Sequence, residues 1–212
     1  MYRHSFLASL KLPPMDNYRA LQEFLGRFMP LSGEDFAILK KHSSVVHIRK
    51  RDIITDAGDT ELYLYFVAKG LIREYFYKGA EQVTTDIISE GTITGAVTSF
   101  LTGAPSHYSL QAMEPCSLVA IHKGQLESLY QSGRLWDQFG RIIMSHFLLQ
   151  REFEIINSAT LTPRERFFSF LDKHGDLLQR VPQKYLASYL QIKPETFSRM
   201  KHLVKKQNKK KA

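Results

Sequence analysis

The chain has 212 residues, 43% of them hydrophobic and 12% aromatic, enough apolar material for one large or two modest packed domains and too much for a disordered chain. No run approaches the ~20 apolar residues of a membrane span, and the single cysteine, Cys116, excludes an intrachain disulfide or a cysteine-held iron–sulfur cluster. The net charge of +8 is concentrated: between Lys193 and Ala212 eight Lys/Arg face one Glu, a local +7 that leaves +1 for residues 1–192. FLASL near the start is too short for a signal-peptide core, so a cytoplasmic protein without a membrane partner is expected.

Residues 1–15 mix apolar and basic side chains and end at Pro13-Pro14, which predicts an arm rather than a packed element. Tyr18, Leu21, Phe24, Leu25 and Phe28 then recur at helical spacing, and Ser32-Gly33-Glu34-Asp35 opens a second short helix through Ile38 and Leu39. From Val45 to about His122 the period changes to two, in the runs VVHI, ELYLYFVA, LIREYFY, QVTTDIIS, YSLQAM and SLVAIH. Gly58, Gly70, Gly79, Gly91 and Gly95 punctuate them. Short strands at this spacing predict a small antiparallel barrel or double-sheet roll, and no βαβ arrangement.

Leu135, Phe139, Ile142, His146, Leu149, Phe153 and Ile156 follow in alternating steps of four and three, a heptad seam that asks for a second helix of the same kind. Ile143 and Phe147 on the other flank are expected to pack on the roll. His146, the one polar seam position, reads as a register-setting or tolerated residue, since no second metal ligand accompanies it. Thr162-Pro163-Arg164-Glu165 starts a new helix with capping-box spacing and proline in the first turn, and Gly175 stands where a C-terminal cap is expected.

The stretch from Pro182 to Lys206 reads as a helix, a tight turn and a second helix. Leu186, Leu190, Ile192, Phe197 and Met200 are placed to bury against one another, with small Ala187 at the closest approach. Pro194 suits the first turn of the second helix. Glu195, Thr196, Ser198, Arg199 and His202 are left for its outer face, followed by Lys205, Lys206 and a lysine-rich tail suited to phosphate. The organisation expected is α+β: an arm at 1–15, a roll with flanking helices at 16–134, a dimerisation helix at 135–158, and a helix-turn-helix domain with a basic tail at 159–212.

The run from Gln183 through Ala187 to Thr-Phe-Ser-Arg resembles the helix-turn-helix of the catabolite activator/Fnr (Crp-Fnr) family of bacterial transcription regulators, a docking geometry in which the second helix enters the major groove. LYFVAKGLIREYFY and GTITGAVTSFLTGAPSHYSLQA look like the cyclic-nucleotide-binding roll of the same family. The resemblance implies a homodimer through the seam helix, double-stranded DNA with an inverted-repeat operator as partner, and RNA polymerase as a further one. It also implies that the residues matching Glu195 and Arg199 contact base edges. Two positions depart from the family: Gln191 stands at the turn where glycine is usual, and Lys193 where a capping Ser or Thr is expected. A full β-hairpin wing after the second helix is not expected.

In members that bind cyclic nucleotides, a Glu after the second glycine of the cassette holds the ribose and an Arg-Ser pair holds the phosphate. Counted from Gly91 and Gly95, those positions are Ala96, Ser106 and His107. Gly95, Ala96, Val97, Ser106 and His107 are therefore the candidate effector residues, and cyclic AMP is not the expected ligand. An apolar interior near Val97, Phe100 and Leu110 would hold a less charged molecule, or be collapsed so that DNA binding is constitutive.

Neither a cofactor nor a metal is expected, because His42, His47, His107, His122 and Cys116 show no tight ligand spacing. No catalysis is expected: Ser106 and His107 are adjacent on a strand and point to opposite faces. The alternative reading is an effector-binding or scaffold protein whose terminal helices dock another protein. The +7 beside Arg199 favours a polyanion instead.

Overall fold

The structure is a computed structural model that describes the backbone of residues 17–211 and the side chains of residues 17–203. The expected arm at 1–15 and the side chains of Lys205, Lys206 and the lysine-rich tail lie outside the described residues. Contacts divide the described residues into two compact units, 17–76 with 86–143 and 77–85 with 144–211.

The first unit opens with α1 (Asn17–Leu25), which buries Leu21, Phe24 and Leu25, and α2 (Gly33–Lys41). α2 begins where the sequence places it. The Ser32 hydroxyl accepts the Asp35 N–H (3.1 Å) while the Ser32 N–H donates to Asp35 Oδ2 (3.0 Å), so a capping box satisfies donors the first turn leaves open. Acidic Glu34 and Asp35 at this end and Lys40 and Lys41 at the other complement the helix dipole.

The strands of the described residues are β1 (Ser44–Ile48), β2 (Ile53–Thr55), β3 (Tyr63–Lys69), β4 (Ile72–Lys78), β5 (Glu81–Ile88), β6 (Ile93–Thr94), β7 (Ser109–Ala112) and β8 (Cys116–His122), with the short helix α3 (Val97–Thr102) between β6 and β7; all but the short β2 and β6 fall on the six alternating runs. They form two four-stranded sheets, ordered β1-β8-β3-β6 and β2-β7-β4-β5. Tyr65 pairs with Ala120 and Val46 with Leu118 in one sheet, Ile72 with Ala112 in the other, all antiparallel. Their inner faces interdigitate as one core of Tyr65, Val67, Ile72, Ile88, Leu110, Ala112, Cys116, Leu118 and Ala120, the double-sheet roll expected from the period-two pattern.

Gly70, between β3 and β4, has φ +101°, and a Cβ there would lie 2.7 Å from Cys116 Sγ; only glycine lets this turn close on the core. Cys116 is fully buried and its Sγ donates to the carbonyls of Leu71 (3.4 Å) and Glu114 (3.2 Å).

After β8 come α4 (Lys123–Gln131), whose first turn is capped by the His122 ring accepting the Gly124 N–H (3.1 Å), and the 27-residue α5 (Arg134–Thr160). α5 starts packed, with Trp136, Gly140 and Ile143 buried; Gly140 leaves room for the Tyr130 side chain, whose hydroxyl would sit 2.5 Å from an added Cβ. Exposure then rises along the helix. Leu135, Phe139 and Ile142 are half-buried, whereas His146, Leu149, Phe153 and Ile156 are exposed.

In the second unit α6 (Pro163–His174) starts on the predicted capping box, with Thr162 Oγ1 accepting the Glu165 N–H and Pro163 in the first turn. Gly175 is the C-terminal cap of α6, as expected. It is right-handed, at φ −59°, and instead of ending the helical path in a left-handed cap it leads into the short helix α7 (Leu177–Arg180); a Cβ on it would press on Leu171 O at 2.9 Å. α8 (Gln183–Tyr189) and α9 (Pro194–Lys211) complete the unit. Leu186, Ala187, Leu190, Ile192 and Phe197 are buried as expected, Met200 is only half-buried, and Phe167 and Phe170 of α6 complete the core. The rings of Phe167 and Phe197 meet edge to face, 5.3 Å between centroids at 82°.

Among the described residues no helix is long and apolar enough to cross a membrane.

The core position of Cys116 gives a chemical test of the roll. Burial pushes its thiol up to about 12, against backbone hydrogen bonds that lower it less. A group whose folded value lies above its unfolded value stabilises fully below the unfolded value, near 9, and loses that contribution as pH rises towards 12. Native protein at pH 8 is expected to resist a thiol reagent, with labelling following unfolding in urea. Rapid stoichiometric labelling of folded protein would contradict the packing around Gly70.

Candidate nucleic-acid interface and effector cassette

The link between α8 and α9 is a tight turn held by its own backbone. Leu190 N–H donates to Leu186 O (2.9 Å), Gln191 N–H to Ser188 O (3.0 Å) and Ile192 N–H to Ala187 O (2.9 Å). Gln191 is left-handed at φ 53°, so the position where glycine would be free of strain is occupied by a side chain, at about 1 kcal/mol or more. α9 then starts at Pro194, where a missing N–H costs no hydrogen bond, and Phe197 N–H reaches the Lys193 carbonyl (3.0 Å).

Phe197 anchors one face of α9 in the core. On the other, Glu195, Arg199 and His202 are exposed at i, i+4 and i+7, one face of the helix, while Thr196 and Ser198 flank it half-buried. Lys201, which sequence reasoning did not single out, points back and donates through Nζ to Leu178 O (3.3 Å), tethering α9 to α7.

A second residue missed in the sequence is Arg166 of α6. Its Nε donates to Leu190 O (2.8 Å), Nη2 to Gln191 O (3.3 Å), and Nη1 to Leu161 O (2.6 Å) and Ser158 O (3.5 Å). The guanidinium fork thus meets carbonyls from the ends of two helices, where the backbone is negative and short of donors.

In the roll, Gly95 is buried, and a Cβ on it would meet Tyr63 O at 3.0 Å and Leu64 Cδ2 at 3.2 Å, so the cassette backbone lies hard against β3. Ala96 is fully buried and precedes α3; Val97 is half-buried, and Phe100 and Leu110 are buried. Ser106 is buried, and its hydroxyl serves its own turn, donating to Tyr108 O (2.7 Å) and accepting Tyr108 N–H (3.3 Å). His107 beside it is exposed.

The organising side chain is Glu61, only 3% exposed. One carboxylate oxygen accepts the N–H groups of Leu62 and Tyr63 at 3.0 Å and lies 3.4 Å from the Tyr65 hydroxyl. The other accepts from the Thr55 hydroxyl and from Ala96 N–H at 3.4 Å. The Glu61 N–H in turn donates to Ser99 Oγ of α3 (2.9 Å). Burial first, and then the Glu61 charge, push the Tyr65 phenol well above its ordinary range, keeping it a neutral donor. Lys123 closes the other end of α3, donating to the carbonyls of Phe100 (2.8 Å) and Leu101 (3.3 Å).

The histidines weighed as metal ligands have local bonds: His42 Nδ1 with Ile38 O (2.9 Å), His47 Nδ1 with Ser117 Oγ (3.0 Å), and His122 as the α4 cap. Among the described residues no group of three or more His, Cys, Asp and Glu is placed to hold a metal ion.

Residues 45–132 match the cyclic nucleotide-binding domain family. Similar solved structures include FixK2 from Bradyrhizobium japonicum, with TM-score 0.68 and 17% identity, covering 78% of this chain and 86% of that one. The c-di-GMP responsive global regulator CLP of Xanthomonas campestris follows at TM-score 0.64 and 17% identity, covering 84% and 93%, and Thermus thermophilus catabolite activator protein at 0.54 and 21%, covering 87% and 88%. No curated protein sequence matches the chain. Residues 45–132 thus match a cyclic nucleotide-binding domain, and the chain shares the fold of these solved structures, an antiparallel roll followed by a long helix and a terminal helical unit.

Glu61→Ala is expected to lower stability to urea by about 3 kcal/mol or more, since it leaves several buried neutral donors without an acceptor at about 1–3 kcal/mol each. Glu61→Gln, which keeps one acceptor oxygen, is expected to cost about 1–3 kcal/mol. If both variants unfold within 0.5 kcal/mol of wild type, Glu61 does not organise the cassette.

Proposed function

We propose that the chain is a homodimeric, sequence-specific DNA-binding transcription regulator of Crp-Fnr type whose effector cassette does not take a cyclic nucleotide. The observation that carries this reading is the exposed face of Glu195, Arg199 and His202 on a helix pinned by Phe197, within the most basic stretch of the chain. Arg199 is suited to guanine O6 and N7, and Glu195 to cytosine N4–H. Thr196, Ser198, His202, Lys205 and Lys206 supply further base-edge or phosphate contacts. RNA polymerase as a further partner rests on the family resemblance alone.

Dimerisation is supported by the apolar face of α5. Leu149, Phe153 and Ile156 are exposed in the expected seam and Leu148 and Ile155 beside it, the last two at 70% and 67%. A stripe of this size on one helix is covered most simply by the same stripe on a second copy. Half-buried Leu135, Phe139 and Ile142 and exposed His146 continue the seam towards the N-terminal end.

For the effector, Ala96 offers no carboxylate to a ribose, and the Ser106 hydroxyl is engaged in its own turn beside exposed His107. The loss of a charge-assisted phosphate contact weakens binding by roughly 1.5–3 kcal/mol, ten- to hundredfold. DNA binding is then either constitutive or set by a less charged ligand against Val97, Phe100 and Leu110.

The test is selection of duplexes from a random pool by the full chain. Inverted repeats are expected, with half-site centres about 34–36 Å apart, and Arg199→Ala is expected to flatten discrimination at one base position by about 1–3 kcal/mol. Phe153→Glu is expected to turn a dimer into a monomer in light scattering. An unenriched pool, or a wild-type monomer at micromolar concentration, would sink this reading. Cyclic AMP at millimolar concentration is expected to leave the melting temperature unchanged; a ligand at 100 times its Kd would add about 2.7 kcal/mol.

A further inference from the structure

We infer that Arg166 is a positioning residue that locks the reading head to the end of the dimer helix and so sets which half-site spacing the protein accepts. This rests on the function proposed above and goes beyond it.

The C-terminal carbonyls of a helix lack intrahelical partners and carry the negative end of its dipole. Two such ends meet here. α5 ends at Thr160, leaving Ser158 O and Leu161 O beside its last turn; α8 ends at Tyr189, leaving Leu190 O and Gln191 O in the turn before α9. Arg166 donates to all four, from 2.6 to 3.5 Å, with its three guanidinium nitrogens divided between the two ends. A guanidinium is planar and always charged, with donors in a fixed fork, so it holds the two ends in one relative orientation. A lysine ammonium would attract both without fixing their angle.

Arg166 itself is held by structure on either side. Its backbone N–H donates to Thr162 O (2.9 Å), in the turn that begins with the Thr162–Glu165 capping box, and its neighbour Phe167 is fully buried against Phe197 of α9. The strained Gln191 is explained by the same contact. A left-handed non-glycine residue persists where its surroundings over-determine it, and the Gln191 carbonyl is one of the four that Arg166 receives.

In a two-fold dimer built on α5, the separation and tilt of the two α9 helices follow from how each reading head is fixed to its own α5. A loosened joint leaves each head able to read its half-site but lets the pair accommodate several separations, which removes the advantage of simultaneous engagement.

The test uses the full chain, a duplex enriched by wild type from a random pool, the same duplex with one to three base pairs added to or removed from its centre, and a single half-site. Arg166→Gln is expected to bind the half-site within about twofold of wild type, to lose about tenfold or more on the enriched duplex, and to show a flattened preference among spacers. Arg166→Lys is expected to fall between the two. Equal losses on half-site and full site would make Arg166 a folding residue of the head and overturn the inference, as would an unchanged spacer profile. So would unfolding of both variants at the assay temperature. Failure of wild type to enrich any duplex overturns the proposed function and the inference with it; a spacer-selective wild type with spacer-selective variants overturns the inference alone.

Discussion

An apolar stripe that the described residues leave exposed on α5 is the constraint on which the proposed function depends. Leu148, Leu149, Phe153, Ile155 and Ile156 occupy the second half of α5 with about half or more of their surface in water. Fully burying such a side chain is worth about 1.5–3 kcal/mol; scaled to the surface still exposed, five per protomer on two protomers would supply about 9–18 kcal/mol, comparable with an association cost of the order of 4–15 kcal/mol. In the proposed dimer symmetry follows from self-complementarity: a stripe paired with its own copy gives a two-fold axis, which would present two copies of α9.

Charge is distributed to match. The first 192 residues are nearly neutral, and the excess begins at Lys193, one residue before α9. The cations of this region divide by role. Lys201 turns back to a carbonyl of α7, whereas Arg199 faces solvent. In the roll the logic is reversed. A buried carboxylate, Glu61, collects hydroxyl and backbone donors from β2, from β3 and from the residue before α3, while the side chains at 96 and 106 bring no charge to the cassette. The cassette is held together from inside the protein.

Much of this was legible in the chain itself because the signals are local. Six period-two runs mark β1, β3, β4, β5, β7 and β8, while the short β2 and β6 fall outside them; reciprocal Ser–Asp and Thr–Glu spacings placed the starts of α2 and α6, and the apolar positions of the terminal helices identified their core. What escaped was non-local. Glu61 looks like one charged residue before a strand until Thr55 and Ala96 are brought to it. Arg166 looks like a solvated cation on the first turn of α6 until two helix ends 5 and 24 residues away in sequence converge on it. Gly175 is legible as the cap of α6, but not its right-handed backbone, since a glycine cap is most often left-handed; here the close contact with Leu171 O favours the absence of a side chain. Ser106 and His107 carried no local sign of their different burial, which is set by the turn that Ser106 closes with Asp59 and Tyr108.

The central claim is that two reading heads related by a two-fold axis insert α9 into successive major grooves with Arg199 on guanine. Methylation interference on a duplex enriched by the protein tests it directly, because methyl groups at guanine N7 block the contact without changing the sequence. Interference is expected at two symmetry-related guanines about one helical turn apart, both lost in Arg199→Ala. Interference confined to one side, or binding indifferent to N7 methylation, would contradict it.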